Sequence, residues 1–213
     1  MIGFLLKAAL LLAAGITACI GLIRAQPYDD SDLRTFLTPP DNCPAPCFLG
    51  IRPGVTSVQE AIAFLQAHEW IGEVTVYHNR VGQIYLIQWS WNGSQPALVD
   101  ASKLAHIYAR DNLVYTITMP TTVQFGDIWL SLGKPDRGGI GATGQHPASV
   151  FVQNIGYLSA SIGVQTMILC PAKLMDMLQA TVSMSFIGDM DARFGGDAYE
   201  LSDWLTVQPC RSN

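Results

Sequence analysis

The sequence predicts an α+β protein made of two helix-plus-antiparallel-sheet halves behind an N-terminal membrane segment. Three observations lead to this fold class. The first 25 residues are apolar apart from Lys7 and Arg24. After them, stretches with helical spacing of apolar residues are followed by stretches of apolar–polar alternation, which is typical of strands that bury one face. This helix-then-strands order occurs twice, which predicts a tandem repeat of roughly 75 residues.

Composition indicates a folded chain that does not bind nucleic acid. Of the 213 residues, 49% are hydrophobic and 14% are charged, so the chain can bury a sizeable core. The net charge is −5, and lysines and arginines are scattered singly. Because binding to phosphates needs a basic face, this distribution argues against a nucleic-acid partner.

The segment 1–25 is predicted to be a signal peptide or a membrane anchor. It has no charge between Lys7 and Arg24, a length that falls between a secretory core and a full membrane span. Lys7 precedes the apolar stretch and Asp29, Asp30 and Asp32 follow it, so the positive-inside rule places the body outside the cytoplasm. We therefore expect a membrane-anchored or secreted protein whose N-terminal segment contacts the membrane.

Within this segment, the stretch Ile16-Thr17-Ala18-Cys19 resembles the lipobox of bacterial lipoproteins. In that family the cysteine becomes the acylated first residue, which makes Cys19 a candidate lipidation site. The apolar continuation over 20–23 departs from the polar tether that usually follows such a cysteine.

The remaining four cysteines predict two disulfides, since an even number of thiols outside the cytosol is typical of a disulfide framework. They are Cys43, Cys47, Cys170 and Cys210. A zinc site is disfavoured because the last two have no paired spacing. If the Pro-Ala-Pro stretch between Cys43 and Cys47 is extended, their Cα atoms lie roughly 12 Å apart, too far for a disulfide. Long-range pairs with Cys170 or Cys210 are therefore favoured, although a tight turn or a cis proline would allow a local bridge.

The chain after the membrane segment divides into a polar linker over 26–42 and an ectodomain over 43–213. The first half, 43–119, is predicted to contain one helix over 57–67, capped by Thr56 with Gln59. Its apolar stripe, Val58, Ile62 and Leu65, is expected to face the sheet. Alternation and turn residues predict strands over 73–78, 83–91, 104–109 and 113–119, with Trp89 and Trp91 on one face of the second strand.

The second half, 120–213, is predicted to begin with a helix capped at Thr121–Thr122 and ended by Gly133. Strands are predicted over 149–153, 162–169 and 182–187. A short helix is expected over 172–179, with Pro171 at its start. The tail from Gly188 is predicted to be a loop, with a short helix over 198–205.

Several short motifs resemble an uncharacterised family of exported bacterial proteins over most of residues 43–187. In that family a segment ending in Pro-Cys, an aromatic residue and Gly-Ile leads through Pro-Gly-x-Thr into a helix, and a second helix ends in Gly-x-Pro. The matching stretches are 46–51, 53–56, 126–127, 132–136 and 170–171. The chain is also similar to the α+β modules of BamE/SmpA lipoproteins and of the β-lactamase-inhibitor-protein fold. These resemblances imply protein binding without catalysis, and they carry no functional residues over.

No motif in the sequence predicts a catalytic residue, a cofactor site or a metal site. Residues 139–144 match GxGxxG by letter, but they follow no strand and precede no helix, which predicts a flexible loop. Residues 188–197 resemble a calcium loop, but Arg193 and Phe194 occupy positions that need a ligand and a glycine, which predicts an acidic surface loop. His68 is expected on a helix face, His78 and His106 at strand ends.

Two function classes remain open. The leading one is an exported, envelope-attached, non-catalytic interaction or structural module whose partner is another envelope protein. The alternative is a secreted hydrolase or small-ligand binder with a site between the two halves. A crevice lined by carboxylates or histidines of perturbed pKa would favour the alternative. A filled, apolar contact between the halves would favour the module.

Overall fold

The computed structural model describes residues 7, 12–18, 21, 29–79, 81–143, 149–195 and 198. The chain divides into two compact units, Met1–Asp32 and Leu33–Asn213. In the first unit, residues 12–18 are helical. Among the described residues, no helix is long and apolar enough to cross a membrane. Most of the predicted membrane segment, including Cys19, lies outside the described residues.

The second unit contains one antiparallel sheet of eight strands, which confirms the predicted α+β class. Two four-stranded meanders, β1–β4 and β5–β8, lie side by side, with their last strands, β4 and β8, paired at the centre. The spatial order is β1-β2-β3-β4-β8-β7-β6-β5. The strands are β1 (Ile71–Asn79), β2 (Ile84–Trp91), β3 (Ala105–Arg110), β4 (Leu113–Gln124), β5 (Arg137–Thr143), β6 (Val150–Tyr157), β7 (Ile162–Leu169) and β8 (Thr181–Ile187).

The apolar core lies between one face of this sheet and the helices that precede or connect its strands. Leu33, Leu65, Phe125 and Met177, from four different helices, join one buried cluster with the inward-facing residues of the strands. The helices are α1 (Ser31–Leu37), α2 (Val58–Ala67), α3 (Phe125–Leu132), α4 (Leu174–Gln179) and α5 (Met190–Phe194). Helix α5 is the exception, because it packs against the opposite face of the sheet.

Helix α2 begins one residue later than predicted, because Ser57 caps it in place of Thr56. The Thr56 hydroxyl accepts a hydrogen bond from the Arg52 backbone at 2.8 Å, so it is already engaged. Ser57 and Glu60 form the capping box: the Ser57 hydroxyl accepts from the Glu60 N–H, and the Glu60 carboxylate accepts from the Ser57 N–H. The Ser57 hydroxyl also donates to the Glu60 carboxylate at 2.7 Å. This bond chiefly, and then the bond from the Ser57 N–H, lowers the pKa of Glu60.

The predicted packing of helix α2 against the sheet is confirmed. Val58 and Leu65 are buried and Ile62 is partly buried, all in the cluster that contains Ile87 and Trp89. The predicted tryptophan pair also shares this face, with the rings of Trp89 and Trp91 edge to face at 5.8 Å.

The second half differs from prediction at its first helix. Residues 121–124 continue strand β4, and the helix begins only at Phe125. The hydroxyls of Thr121 and Thr122 bond the carbonyls of Val182 and Ala97, so neither caps the helix. Gly133, at φ 78°, ends helix α3 as predicted.

The pairing of Cys43 differs from the prediction. Cys43 is bonded to Cys47, with Cα atoms 5.8 Å apart, so the favoured long-range pairing of these two residues is wrong. The chain does not run extended here: the Ala45–Pro46 peptide bond is cis, one of the two geometries that allow a local bridge. Cys170 is also disulfide-bonded. Its partner, like Cys210, lies outside the described residues.

Three regular elements occur where the sequence predicted a linker or a loop, and one of them is helix α5 in the tail after Gly188. Residues 31–37 of the predicted linker form helix α1, whose Leu33 is buried and whose Arg34 donates to the Ser131 carbonyl at 2.9 Å. Residues 137–143, which include most of the GxGxxG match, form the edge strand β5, paired along its length with β6. Helix α4 also begins at Leu174, two residues later than predicted.

Candidate functional site

The face of the sheet opposite the core helices, which we call the open face, is floored by small polar side chains. In the strands, residues that alternate with buried apolar ones point to this face. Across β3, β4, β8 and β7, cross-strand pairing aligns His106, Thr118, Ser185 and Gly163 in one row. The next row contains Ser183, Gln165 and Asn154. Residues from both halves therefore meet on one continuous surface.

The polar floor residues are half-buried and bond to each other across strands. The hydroxyls of Thr118 and Ser185 lie 2.8 Å apart, so the seam between β4 and β8 carries a side-chain hydrogen bond. On the neighbouring strands, the Gln165 amide donates to Asn154 Oδ1 at 2.7 Å. These pairs satisfy one hydrogen bond of each group and leave further donors and acceptors facing solvent.

Aromatic side chains form one side of this surface. The Tyr108 ring stacks on Tyr115 at 6.2 Å and meets the edge of His106 at 5.0 Å. Tyr115 reaches the open face because the register between β3 and β4 shifts: Tyr108 pairs with Thr116 and Ala109 with Val114. Such a bulge leaves one residue unpaired and re-aims its side chain.

Helix α5 forms the other side, and two glycines make room for it. A Cβ added at Gly156 would lie 2.9 Å from Phe194, and one added at Gly163 would lie 3.1 Å from the same ring. Asp189 caps the helix by accepting from the Ala192 N–H at 2.9 Å. Arg137 of β5 bonds the Gly195 carbonyl and pairs with Asp191 at 3.4 Å. Contacts at both ends therefore hold this short helix over the sheet.

Between these two sides lies a groove of about 810 Å³ whose charge is positive. We call it the groove and define it by the floor rows, the side formed by Tyr108 and Tyr115, and helix α5. Its charged lining residues are Arg110, Arg193 and Asp189. Within the part of the chain that the structure describes, neither arginine forms an ion pair, whereas Asp189 is engaged as the cap of α5. The surface is therefore cationic on a chain of net charge −5.

His106 is the titratable group in the floor. Burial lowers its pKa below the ordinary value for histidine, because a charged imidazole loses hydration there. Among the described residues, its ring makes no hydrogen bond, so neither a carboxylate nor a hydroxyl orients it as a general base. The arrangement can bind polar and anionic groups, and its described residues form no assembled nucleophile–base pair.

Of the residues singled out in the sequence, four line the groove: His106, Asp189, Arg193 and Phe194. In the stretch that resembles a calcium loop, Asp189 and Asp191 serve helix α5, which replaces the predicted acidic loop. No group of three potential metal ligands occurs among the described residues. His68 follows the last residue of α2 rather than lying on its face, and its Nδ1 accepts from the Trp70 N–H. His78 stacks on Tyr85 at 4.0 Å. His146 lies outside the described residues.

The sequence did not predict the groove, because the lining residues are spread from Gly54 to Phe194 along the chain. A local signal existed: Thr116-x-Thr118 and Ser183-x-Ser185 alternate with buried apolar residues, which marks a polar strand face. These two stretches form one surface because β4 pairs with β8. Local alternation does not predict which strands pair.

Comparisons of the chain with protein-family models, with curated proteins and with solved structures gave no match.

Proposed function

We propose that this protein is a non-catalytic interaction module that binds another protein on the open face of its sheet. The groove carries this proposal. Its lining combines tyrosines and arginines, which are enriched at protein interfaces, with hydroxyl and amide groups that can serve a partner's backbone. The predicted partner is another envelope protein.

The contact between the halves supports a module rather than an enzyme. On the core side of the seam, Ile117, Met119, Met184 and Phe186 are buried, so this side is filled with apolar side chains. On the open side the groove contains a histidine of lowered pKa, and none of the described carboxylates bonds it. The buried apolar contact favours binding through a rigid scaffold. The histidine lacks the hydrogen-bonded carboxylate that would orient it as the base of a hydrolase.

A photo-reactive residue tests the binding surface. We place it at Ser185 or Thr116 on the groove floor, and at Gln59, exposed on helix α2, as the matched control. Illumination of cells that make the full chain should give a discrete adduct from the groove positions and none from Gln59. Filling the floor with Gln165→Trp should abolish that adduct. Equal adducts from both faces would contradict the proposal.

We further propose that the module is exported and attached to the envelope through residues 1–25, with Cys19 as the candidate lipidation site. The apolar N-terminal sequence supports this, and so do the disulfides of Cys43 and Cys170, which persist in oxidising compartments. A reporter active only outside the cytosol, fused after residue 42, should give activity. Full retention of the fusion in the cytosol would contradict export.

We also propose that the two halves are a tandem repeat. Helix α2 precedes the meander β1–β4 and helix α3 precedes the meander β5–β8, and the last strands of both meanders are the central pair of the sheet. Helix α4, inserted between β7 and β8, has no counterpart among the described residues of the first half. Superposition of the Cα atoms tests this: if α2 and α3 cross their own strands in opposite directions, there is no repeat.

A small-ligand binder is the second candidate, and the size of the groove favours it. A volume of about 810 Å³ falls within the range of small-molecule sites, and the groove spans both halves as that candidate requires. A fragment screen observed by NMR separates the two candidates. Fragments that bind the floor with saturable affinity, together with no protein adduct from Ser185, would favour the small ligand.

A further inference from the structure

The two arginines of the groove lie toward opposite ends of it. Arg110 extends from the end of β3, whereas Arg193 lies on α5, which packs over β6 and contacts the edge strand β5. Measured across the strands, the backbones of β3 and β6 are four strand spacings apart, which at about 4.8 Å each is roughly 19 Å. The groove therefore presents two separated positive charges rather than one concentrated anion site.

Both charges are available to a ligand. Neither guanidinium takes part in an ion pair within the described residues, and both side chains are exposed. The one carboxylate in the lining, on Asp189, accepts a hydrogen bond from the helix it caps. Charge complementarity thus favours a partner that carries carboxylates toward both ends of its contact segment.

Between the arginines, the floor suits an extended polypeptide. Hydroxyl and amide side chains line the path at Thr116, Thr118, Ser185 and Gln165, and each can donate to or accept from a peptide backbone. Tyr108 and Tyr115 offer apolar surface beside the path. At about 3.3 Å per residue, an extended chain covers 19 Å with roughly six residues.

We propose that the groove binds an extended acidic polypeptide segment that crosses the strands, with one carboxylate at Arg110 and a second, about five or six residues away, at Arg193. This rests on the proposed function and specifies the chemistry of the partner. A uronate oligosaccharide could offer carboxylates too. The polypeptide is favoured because tyrosine and arginine above a row of hydroxyl and amide groups can serve both its side chains and its backbone.

An array of octapeptides tests the proposal with the full chain as the probe. Each peptide carries two Glu residues separated by one to six positions in a Gly/Ala/Ser/Val background, and matched sets replace both Glu by Gln or by Lys. We expect the Glu set to bind, best at separations of five or six, and the binding to weaken as salt is raised. Equal binding of the Gln set would overturn the proposal.

Variants of the arginines assign the charges. Arg110→Gln and Arg193→Gln should each weaken binding of the best Glu peptide roughly five- to tenfold, and Arg110→Gln should abolish the preference for wide Glu spacing. Lys173→Gln, which removes a positive charge outside the groove, should leave binding unchanged. Equal weakening by all three variants would show general electrostatic attraction and overturn the assignment.

Three further outcomes decide whether this inference and the proposed function fail separately or together. If a soluble polygalacturonate oligomer binds the groove and no peptide set does, the partner class is wrong. If Gln peptides bind as well as Glu peptides and Gln165→Trp abolishes both, the acidic preference fails while the interaction module stands. If no peptide binds and no adduct forms from Ser185, the inference and the proposed function fail together.

Discussion

Two leucines on helices of this protein differ mainly in exposure, which makes them a test of the core. The side chain of Leu65 on α2 is 0% exposed and that of Leu130 on α3 is 65% exposed. We expect Leu65→Ala to lower the free energy of unfolding by about 2–5 kcal/mol, because it leaves a cavity in the cluster beneath the sheet. Leu130→Ala should change it by no more than about 0.5 kcal/mol. Urea unfolding of both variants measures this, and equal costs would contradict the assigned face of α2.

At the same scale, His106 should make stability depend on pH. Burial lowers its pKa in the folded state, so between that pKa and about 6.5 the unfolded chain binds more protons than the folded chain. The free energy of unfolding therefore falls as pH drops below about 6.5, and this loss is complete below the folded pKa.

The measurement is urea unfolding of the protein and of His106→Gln at pH 8, 7, 6 and 5. Other groups titrate in this range, so the difference between the two proteins isolates His106. We expect the protein to lose more stability than the variant as the pH falls. A parallel decline in both would show that His106 has the same pKa in the folded and unfolded chains.

Among the elements, helix α5 depends on the two glycines beneath it. We expect Gly156→Ala to cost roughly 1–3 kcal/mol, because its Cβ would lie 2.9 Å from both Met190 Cε and Phe194 Cδ2. Gly139→Ala on the adjacent strand β5 is the matched control, since an added Cβ there meets nothing within 4 Å. Thermal unfolding compares them. A cost for Gly139→Ala equal to that for Gly156→Ala would indicate backbone effects rather than contact with α5.

Across the whole molecule, the pairing of β4 with β8 should make the two halves unfold together. Met184 lies at this seam, 0% exposed, opposite Met119 on β4 and Val164 on β7. We expect Met184→Ala to lower global stability by about 2–5 kcal/mol. Hydrogen exchange should show the same loss at core amides of β2 and of β6, because both exchange through global unfolding.

Met175→Ala is the control for this prediction, since Met175 on α4 is 57% exposed. It should leave exchange on β2 and β6 almost unchanged. Loss of protection on β6 alone after Met184→Ala would mean that the halves are separate cooperative units despite their shared sheet.

The sequence by itself determined the α+β class, the strands β1–β4 and β6–β8, and helix α2 with its buried stripe, although β4 and β6 extend further than predicted. These elements follow from local physics: alternation, helical spacing, turn residues and caps act within a few residues of each other. The cap of α2 differs from the prediction by one residue: Ser57 caps the helix in place of Thr56, and both residue types can cap a helix.

Only the tertiary structure decided the features that depend on distant partners. Edge strand β5 is glycine-rich and has no apolar alternation, yet pairing with β6 orders it. The Cys43–Cys47 bridge depends on a fold-back of the chain that spacing alone did not predict. The groove arises where β4 meets β8, which brings Thr118 within hydrogen-bond distance of Ser185, a residue 67 positions away. Such contacts depend on how distant strands pair within the whole sheet. No short segment of the sequence contains both partners.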